Sequence, residues 1–315
     1  MFKDIVLAIT PSEICQHAAE KAFEFAKRFD SKLTLVHVTG MEQGWGQMEY
    51  LDRSGETERI KDNICEFYQD KLDAAVQCDV NVLAGIPHNE ILRVARKVNA
   101  DLIVMGPHTR EYVEKRSKMW GMAGSTLERV SQKATCPVMI VTREARSEQR
   151  FERIVAATDF SRQAECAVQY GGQLCRHYKA DLNVFHVLGE EEGLTQTEID
   201  EQAVQARQRM QTEFGPLLKG IEDVKFESWE GKPAMEILKL ARQSEADLII
   251  MAHHSREKDP EKAFLGSVVA QVALNAVCPT MSINRHFDLR CGMMYDQTGA
   301  VVEKEAQREE EEAPA

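Results

Sequence analysis

Phe2-Lys3-Asp4-Ile5-Val6-Leu7-Ala8 and Phe151-Glu152-Arg153-Ile154-Val155-Ala156-Ala157 are one segment written twice in the same chain. Such self-similarity takes precedence over any local reading. The register continues without a gap, carrying Ser12 onto Ser161, Leu33 onto Leu182, and His37-Val38-Thr39-Gly40 onto His186-Val187-Leu188-Gly189. Further on, Gly85, Pro87, Glu90, Ile91 and Leu92 fall on Gly231, Pro233, Glu236, Ile237 and Leu238, and Ala100-Asp101-Leu102-Ile103 on Ala246-Asp247-Leu248-Ile249. Near the end of each copy, Gly124-Ser125 matches Gly266-Ser267, and Ala134-Thr135-Cys136-Pro137 matches Ala276-Val277-Cys278-Pro279. A period of roughly 150 residues is far too long for a solenoid, so the pattern is a tandem domain duplication. Two domains are expected, residues 1–143 and 151–285, joined through the polar run Arg143–Arg150, with 286–315 as a tail.

The length agrees, since 315 residues make about two domains of ordinary size, each able to bury its own core. Acids outnumber bases 51 to 39 for a net charge of −12, which argues against nucleic acid or an anionic membrane as a general partner. No apolar run approaches the ~20 residues of a membrane helix, and the N-terminal segment opens a strand and not a signal sequence, so a cytoplasmic protein is expected. The eight cysteines lie in apolar segments without metal-type spacing and are read as structural thiols.

Within each copy, short β-rich apolar runs alternate with segments of helical period, the pattern of βαβ units and a parallel sheet. Five strands per copy are expected, near 4–9, 32–38, 79–83, 102–105 and 138–141, then near 153–158, 181–187, 224–228, 248–251 and 280–283. Ser12 and Ser161 read as N-caps, Pro87 and Pro233 as first-turn residues, and Ser125 and Ser267 as the openings of the last helices. Each copy is therefore a doubly wound α/β domain. The acidic end, Glu303 to Glu312, reads as solvent-facing chain or as a partner-binding tail.

In such sheets ligands bind beyond the carboxyl ends of the strands, where strand order reverses. That points to Thr10 and Asp159 after strand one, Val38 and Val187 after strand two, the Gly85 and Gly231 loops, and the long connection after strand four. This connection ends in Gly124-Ser125 and Gly266-Ser267. A Gly-Ser pair opening a helix is an N-cap, or a phosphate cradle of free N–H groups. His37 and His186 are read as structural. His253-His254 lacks other ligands at metal spacing, and no metal is expected. Arg110, Lys115, Arg116 and Lys118, interleaved with Glu111 and Glu114, read as a solvated loop.

Taken together, Val155-Ala156-Ala157-Thr158-Asp159-Phe160-Ser161, the His-Val pair, G-x-P-x-x-E-I-L, A-D-L-I-x-M, the Gly-Ser helix start and A-x-C-P resemble the universal stress protein family over residues 2–142 and 151–284. The resemblance implies a five-stranded parallel sheet of order 3-2-1-4-5 in each copy. It also implies pairing of the copies through their fifth strands, 138–141 against 280–283, as an intramolecular pseudo-dimer, and a further homo-oligomer of chains. One subgroup of that family binds ATP through G-x-x-G, nine residues, then G-[ST], with an Asp after strand one.

Neither copy satisfies that motif. The first keeps Gly106, Gly124 and Ser125, but has Thr109 and Thr10 at motif positions and too long an interval. The second keeps Asp159, Gly266 and Ser267 at nearly the right interval, with Ala252 and Ser255 at the earlier glycine positions. ATP (with Mg) or AMP is therefore expected in the second copy, at Asp159, Val187, Gly231, His254, Gly266, Ser267 and Val268. Gly106, Gly124 and Ser125 are the weaker set. The function expected is a non-enzymatic regulatory or interaction module of the stress response. The alternatives are a slow ATP hydrolase and a scaffold with both sites degenerate.

Overall fold

The apolar runs that repeat in the sequence become the strands of one sheet. The structure, a computed structural model, describes residues 2–10, 15–40, 55–74, 77–106, 125–143, 150–190, 193–253 and 267–284. In the first repeat the order is β1 (Asp4–Ala8), α1 (Gln16–Phe29), β2 (Lys32–Gly40), α2 (Glu56–Phe67), α3 (Gln69–Ala74), β3 (Gln77–Gly85), α4 (Pro87–Lys97), β4 (Leu102–Met105), α5 (Ser125–Lys133) and β5 (Val138–Ile140). The second repeat has β6 (Arg153–Ala157), α6 (Arg162–Tyr178), β7 (Asp181–Leu188), α7 (Gln196–Phe214), a 3-10 turn (Gly215–Leu218), β8 (Val224–Glu230), α8 (Pro233–Gln243), β9 (Leu248–His253), α9 (Ser267–Asn275) and β10 (Thr280–Asn284).

Strand order is β3-β2-β1-β4-β5-β10-β9-β6-β7-β8. Each repeat thus has the 3-2-1-4-5 order, with parallel pairing throughout. The two fifth strands meet antiparallel, Thr280 opposite Ile140, Met281 opposite Met139 and Ser282 opposite Val138. So short a seam would hold weakly by backbone pairing alone. The apolar cores, however, run across it on both faces of the sheet. On one face the Phe25 and Phe151 rings meet edge-on at 5.8 Å and Phe29 meets Tyr178 at 6.1 Å. The stem of Lys21 is buried there beneath its ion pair with Glu24 at 2.6 Å.

Several repeated residues are explained by the framework. Asp101 Oδ2 accepts the Lys3 and Asp4 amides at 2.8 and 3.1 Å, and Asp247 Oδ2 accepts those of Glu152 and Arg153 at 3.0 Å each. Each carboxylate fastens the start of the central strand of its repeat. Pro137 and Pro279 offer their carbonyls to Ile103 and Ile249 at 3.0 Å. Pro87 and Pro233 occupy first-turn positions of α4 and α8, where a missing N–H costs nothing. Ser161 caps α6, its Oγ accepting the Ala164 amide at 3.2 Å.

Two details differ from the sequence expectation. The first helix begins at Gln16 with Cys15 as its N-cap residue and no side-chain cap, while Ser12 lies outside the described residues. Strands β2 and β3 run on to Gly40 and Gly85, because their parallel ladder continues to that pair. A glycine at a strand end reads as a loop residue, but here the partner strand supports an extended chain through it.

Candidate functional site

The site is assembled by register. Ala157 of β6 pairs with Phe185 of β7 on one side and with Met251 of β9 on the other. Two residues beyond each lie Asp159, Val187 and His253, at one level on the carboxyl rim. β6 sits where strand order reverses, so this is the switch point of the second repeat. β8 adds Gly231, whose amide donates to the Leu188 carbonyl at 3.0 Å. The N-terminus of α9, at Ser267, lies on the same rim, since the helix runs antiparallel to the strands it crosses over.

The turn after β6 uses three of four consecutive side chains. Thr158 Oγ1 accepts the Phe160 amide at 3.1 Å, Asp159 Oδ1 accepts the Ser161 amide at 3.0 Å, and Ser161 caps the helix. Together they hold Phe160 at φ +60°, a left-handed conformation unusual for a large side chain. Asp159 is exposed, and its second carboxylate oxygen has no hydrogen-bond partner among the described residues. It is a fixed acceptor facing outward.

Behind it, His186 Nδ1 lies 2.8 Å from the Thr158 carbonyl, which can only accept, so Nδ1 carries the proton and donates. Burial pulls the His186 pKa below its usual value, against the opposing pull of that hydrogen bond and of Asp159. His37 repeats the arrangement on the Ile9 carbonyl at 2.9 Å, also with a lowered pKa from burial. Both histidines therefore tie strand two to the end of strand one in neutral form, as expected of structural residues.

The Phe160 ring packs against His186 at 4.6 Å and stacks on Phe214 at 6.2 Å, and the Arg209 guanidinium lies 3.9 Å from its centroid. Sequence reasoning passed over Phe160 and Arg209. Phe160 stands inside a quoted motif, and its aromatic character next to the Asp was the available signal. Arg209 is brought in by α7, far away in sequence, and had none.

Gly231 has φ +144° and Gly85 φ +153°. A Cβ on either would come within 2.8 Å of Glu236 Cγ or 2.9 Å of Glu90 Cγ. The glutamate of G-x-P-x-x-E lies directly over the glycine, which gives Gly231 a structural reason independent of any ligand. Ala252 belongs to β9 and pairs with Ile283. Its Cβ needs no exceptional backbone there, so the alanine at this motif position carries no conformational cost. Val187, paired with Trp229 across the β7–β8 ladder, and Val268 are partly buried and pack against the core cluster.

His254, Ser255 and Gly266 lie outside the described residues, as do Thr109, Gly124, the basic loop Arg110–Lys118 and the tail. In the first repeat, Thr10 replaces the aspartate, and its hydroxyl lies 3.3 Å from Cys15 Sγ. Gly106 follows β4 there, and Ser125 opens α5. Among the described residues no group of three His, Cys, Asp or Glu side chains could hold a metal ion, and no helix is long and apolar enough to cross a membrane.

Comparison with known proteins places this geometry. A universal stress protein of Methanocaldococcus jannaschii is 32% identical over 149 residues, 45% of this chain and 82% of that protein. Another from the same organism is 26% identical over 118 residues, 38% of this chain and 70% of that protein. The crystal structure of a universal stress protein from Archaeoglobus fulgidus superposes with a TM-score of 0.66 at 22% identity, covering 90% of this chain and 97% of that one. A Pseudomonas aeruginosa protein described as functionally unknown gives 0.62 at 14% identity, covering 93% and 98%. The universal stress protein family matches at residues 1–142 and 150–284, so the chain belongs to that family in a tandem arrangement.

Proposed function

We propose that this universal stress protein is a nucleotide-responsive regulatory module that holds ATP or AMP at the rim of its second repeat. The observation that carries the reading is Asp159. It is exposed at the switch point, fixed by the Ser161 amide, and offers one unused carboxylate oxygen. That oxygen suits a ribose hydroxyl, a charge-assisted contact worth roughly 1.5–3 kcal/mol. Main-chain groups at Val187 and beyond suit the base edge, while Gly266, Ser267, Val268 and the α9 N-terminus suit the phosphates. His254 belongs to the same proposed set. The first repeat, with Thr10 in place of Asp159, acts as the partner domain, and Gly106, Gly124 and Ser125 form its lesser site.

Calorimetry with Mg-ATP and with AMP, on refolded protein stripped of carried-over ligand, tests this. One tight site per chain is expected, that of the second repeat, weakened tenfold or more by Asp159→Ala, since about 1.4 kcal/mol is a decade. Heat-silent titrations with both nucleotides, or binding unchanged in Asp159→Ala, would overturn it.

A further inference from the structure

Among the described residues the sheet has two outer strands, β3 and β8, and β3 borders a concavity of about 870 Å³. The concavity wraps the open edge of the strand. Lys61 and Cys65 of α2 line it on one side, and Arg93 and Lys97 of α4 on the other. A strand edge whose outward amides and carbonyls meet no further strand among the described residues, set between two helices, has the shape of a slot for one more strand. Its charge is one-sided. Asp79, the only acid among the lining residues, is paired with Lys32 at 2.7 Å, and Arg93 is paired with Glu90 at 2.7 Å. Lys61 and Lys97 have no ion-pair partner among the described residues.

We propose that the acidic C-terminal segment Glu303–Glu312 of the same chain docks in this slot as an added edge strand. From Glu303 onward it carries six acids against two bases, which complements the charge of Lys61 and Lys97. Topology puts its root at the right end. β10 runs antiparallel to β5, and β5 is parallel through the sheet to β3, so the chain leaves Asn284 at the edge where β3 begins. Lys97 lies at that same edge, because α4 ends there before the chain turns into β4.

The reach is also sufficient. Five strand spacings of about 4.8 Å separate β10 from β3, about 24 Å. Twenty-five residues separate Asn284 from Glu309, and a random coil of about that length has an end-to-end distance of roughly 25–30 Å. The opposite edge disfavours the same segment, because β8 itself carries Glu227 and Glu230 against the single base Lys225. A second copy pairing β3 to β3 would set Lys61, Arg93 and Lys97 against their own counterparts.

Amide hydrogen exchange on the full chain and on a chain ending at Arg285 tests the assignment. The outward amides of Gln77–Gly85 should exchange at least tenfold faster in the shorter chain, with β8 unchanged. A synthetic peptide of residues 299–315 should restore protection. Lys61→Glu with Lys97→Glu in the full chain should mimic the truncation, and adding Glu309–Glu312→Lys should reverse it. Equal β3 exchange in the two chains would overturn the proposal. So would protection in the shorter chain that rises with protein concentration, which would assign the slot to a second copy.

Discussion

Replacing Gly231 by alanine separates a framework glycine from a ligand-contacting one. The new Cβ would sit 2.8 Å from Glu236 Cγ and 3.1 Å from its Oε1, at a backbone φ of +144°. The backbone term is about 1–3 kcal/mol, and the overlap adds about 1–3 kcal/mol, reduced if Glu236 swings outward. Reduced freedom of the unfolded chain returns about 0.4–1 kcal/mol. A net loss of about 3 kcal/mol is expected, which at a urea slope of about 3 kcal/mol/M lowers the unfolding midpoint by about 1 M. Glu236→Ala alone removes only the pair with Lys239, whose lysine is largely exposed, and should cost less than about 1 kcal/mol. In the double variant the overlap is gone and the backbone term stays, so the double-mutant cycle should show about 1–3 kcal/mol of coupling. Gly85→Ala in the first repeat should behave alike, because its Cβ would meet Glu90 Cγ at 2.9 Å. If Gly231→Ala leaves the midpoint unchanged while abolishing nucleotide binding, the structural explanation of this glycine is refuted.

Asp247→Ala should cost about 3–5 kcal/mol in the same assay, since it removes two hydrogen bonds to a charged acceptor and leaves two amides without it. Asp101→Ala should cost less, because the Lys3 amide it holds is exposed to water. Stability should also fall as pH drops below about 6.5. Burial lowers the folded pKa of His37 and His186, so the unfolded chain binds more protons there, and the loss levels off only below the folded values. Urea midpoints measured from pH 7.5 to 5.5 should decline more steeply for the natural chain than for the His37→Gln, His186→Gln variant; parallel curves would refute the assignment.

The fold was legible because its signals are local and occur twice. The strand runs, the two prolines and Ser161 each act within a few residues of themselves, and the duplication doubled every reading. The reading of Ser12 as a cap falls outside the described residues, which begin again at Cys15 just before the helix at Gln16. The site was legible in part. Asp159 and Val187 are rim residues by strand count alone. The Arg209, Phe160 and Phe214 stack was not, since α7 closes over the turn through tertiary packing that no spacing encodes. The steric reason for Gly231 was hidden too, because it depends on where Glu236 folds back.

The duplication itself sorts the motif residues. Asp101 and Asp247, Gly85 and Gly231, Glu90 and Glu236, and His37 and His186 are the same in both repeats, and each meets a partner inside its own repeat. What differs between the repeats is at the rim: Thr10 turns its hydroxyl to Cys15, while Asp159 keeps one oxygen facing outward. A residue needed to make the sheet must appear twice, because the sheet is made twice. A residue needed only to hold a ligand can differ between copies, provided one copy still binds. By that logic the family resemblance rests mainly on framework residues, and the rim differences carry the functional information. Thr10→Asp is then the informative reciprocal change. It should leave the framework contacts of the first repeat intact, and it should fail to turn the lesser site there into a second tight one unless the Gly106-to-Gly124 connection is shortened with it.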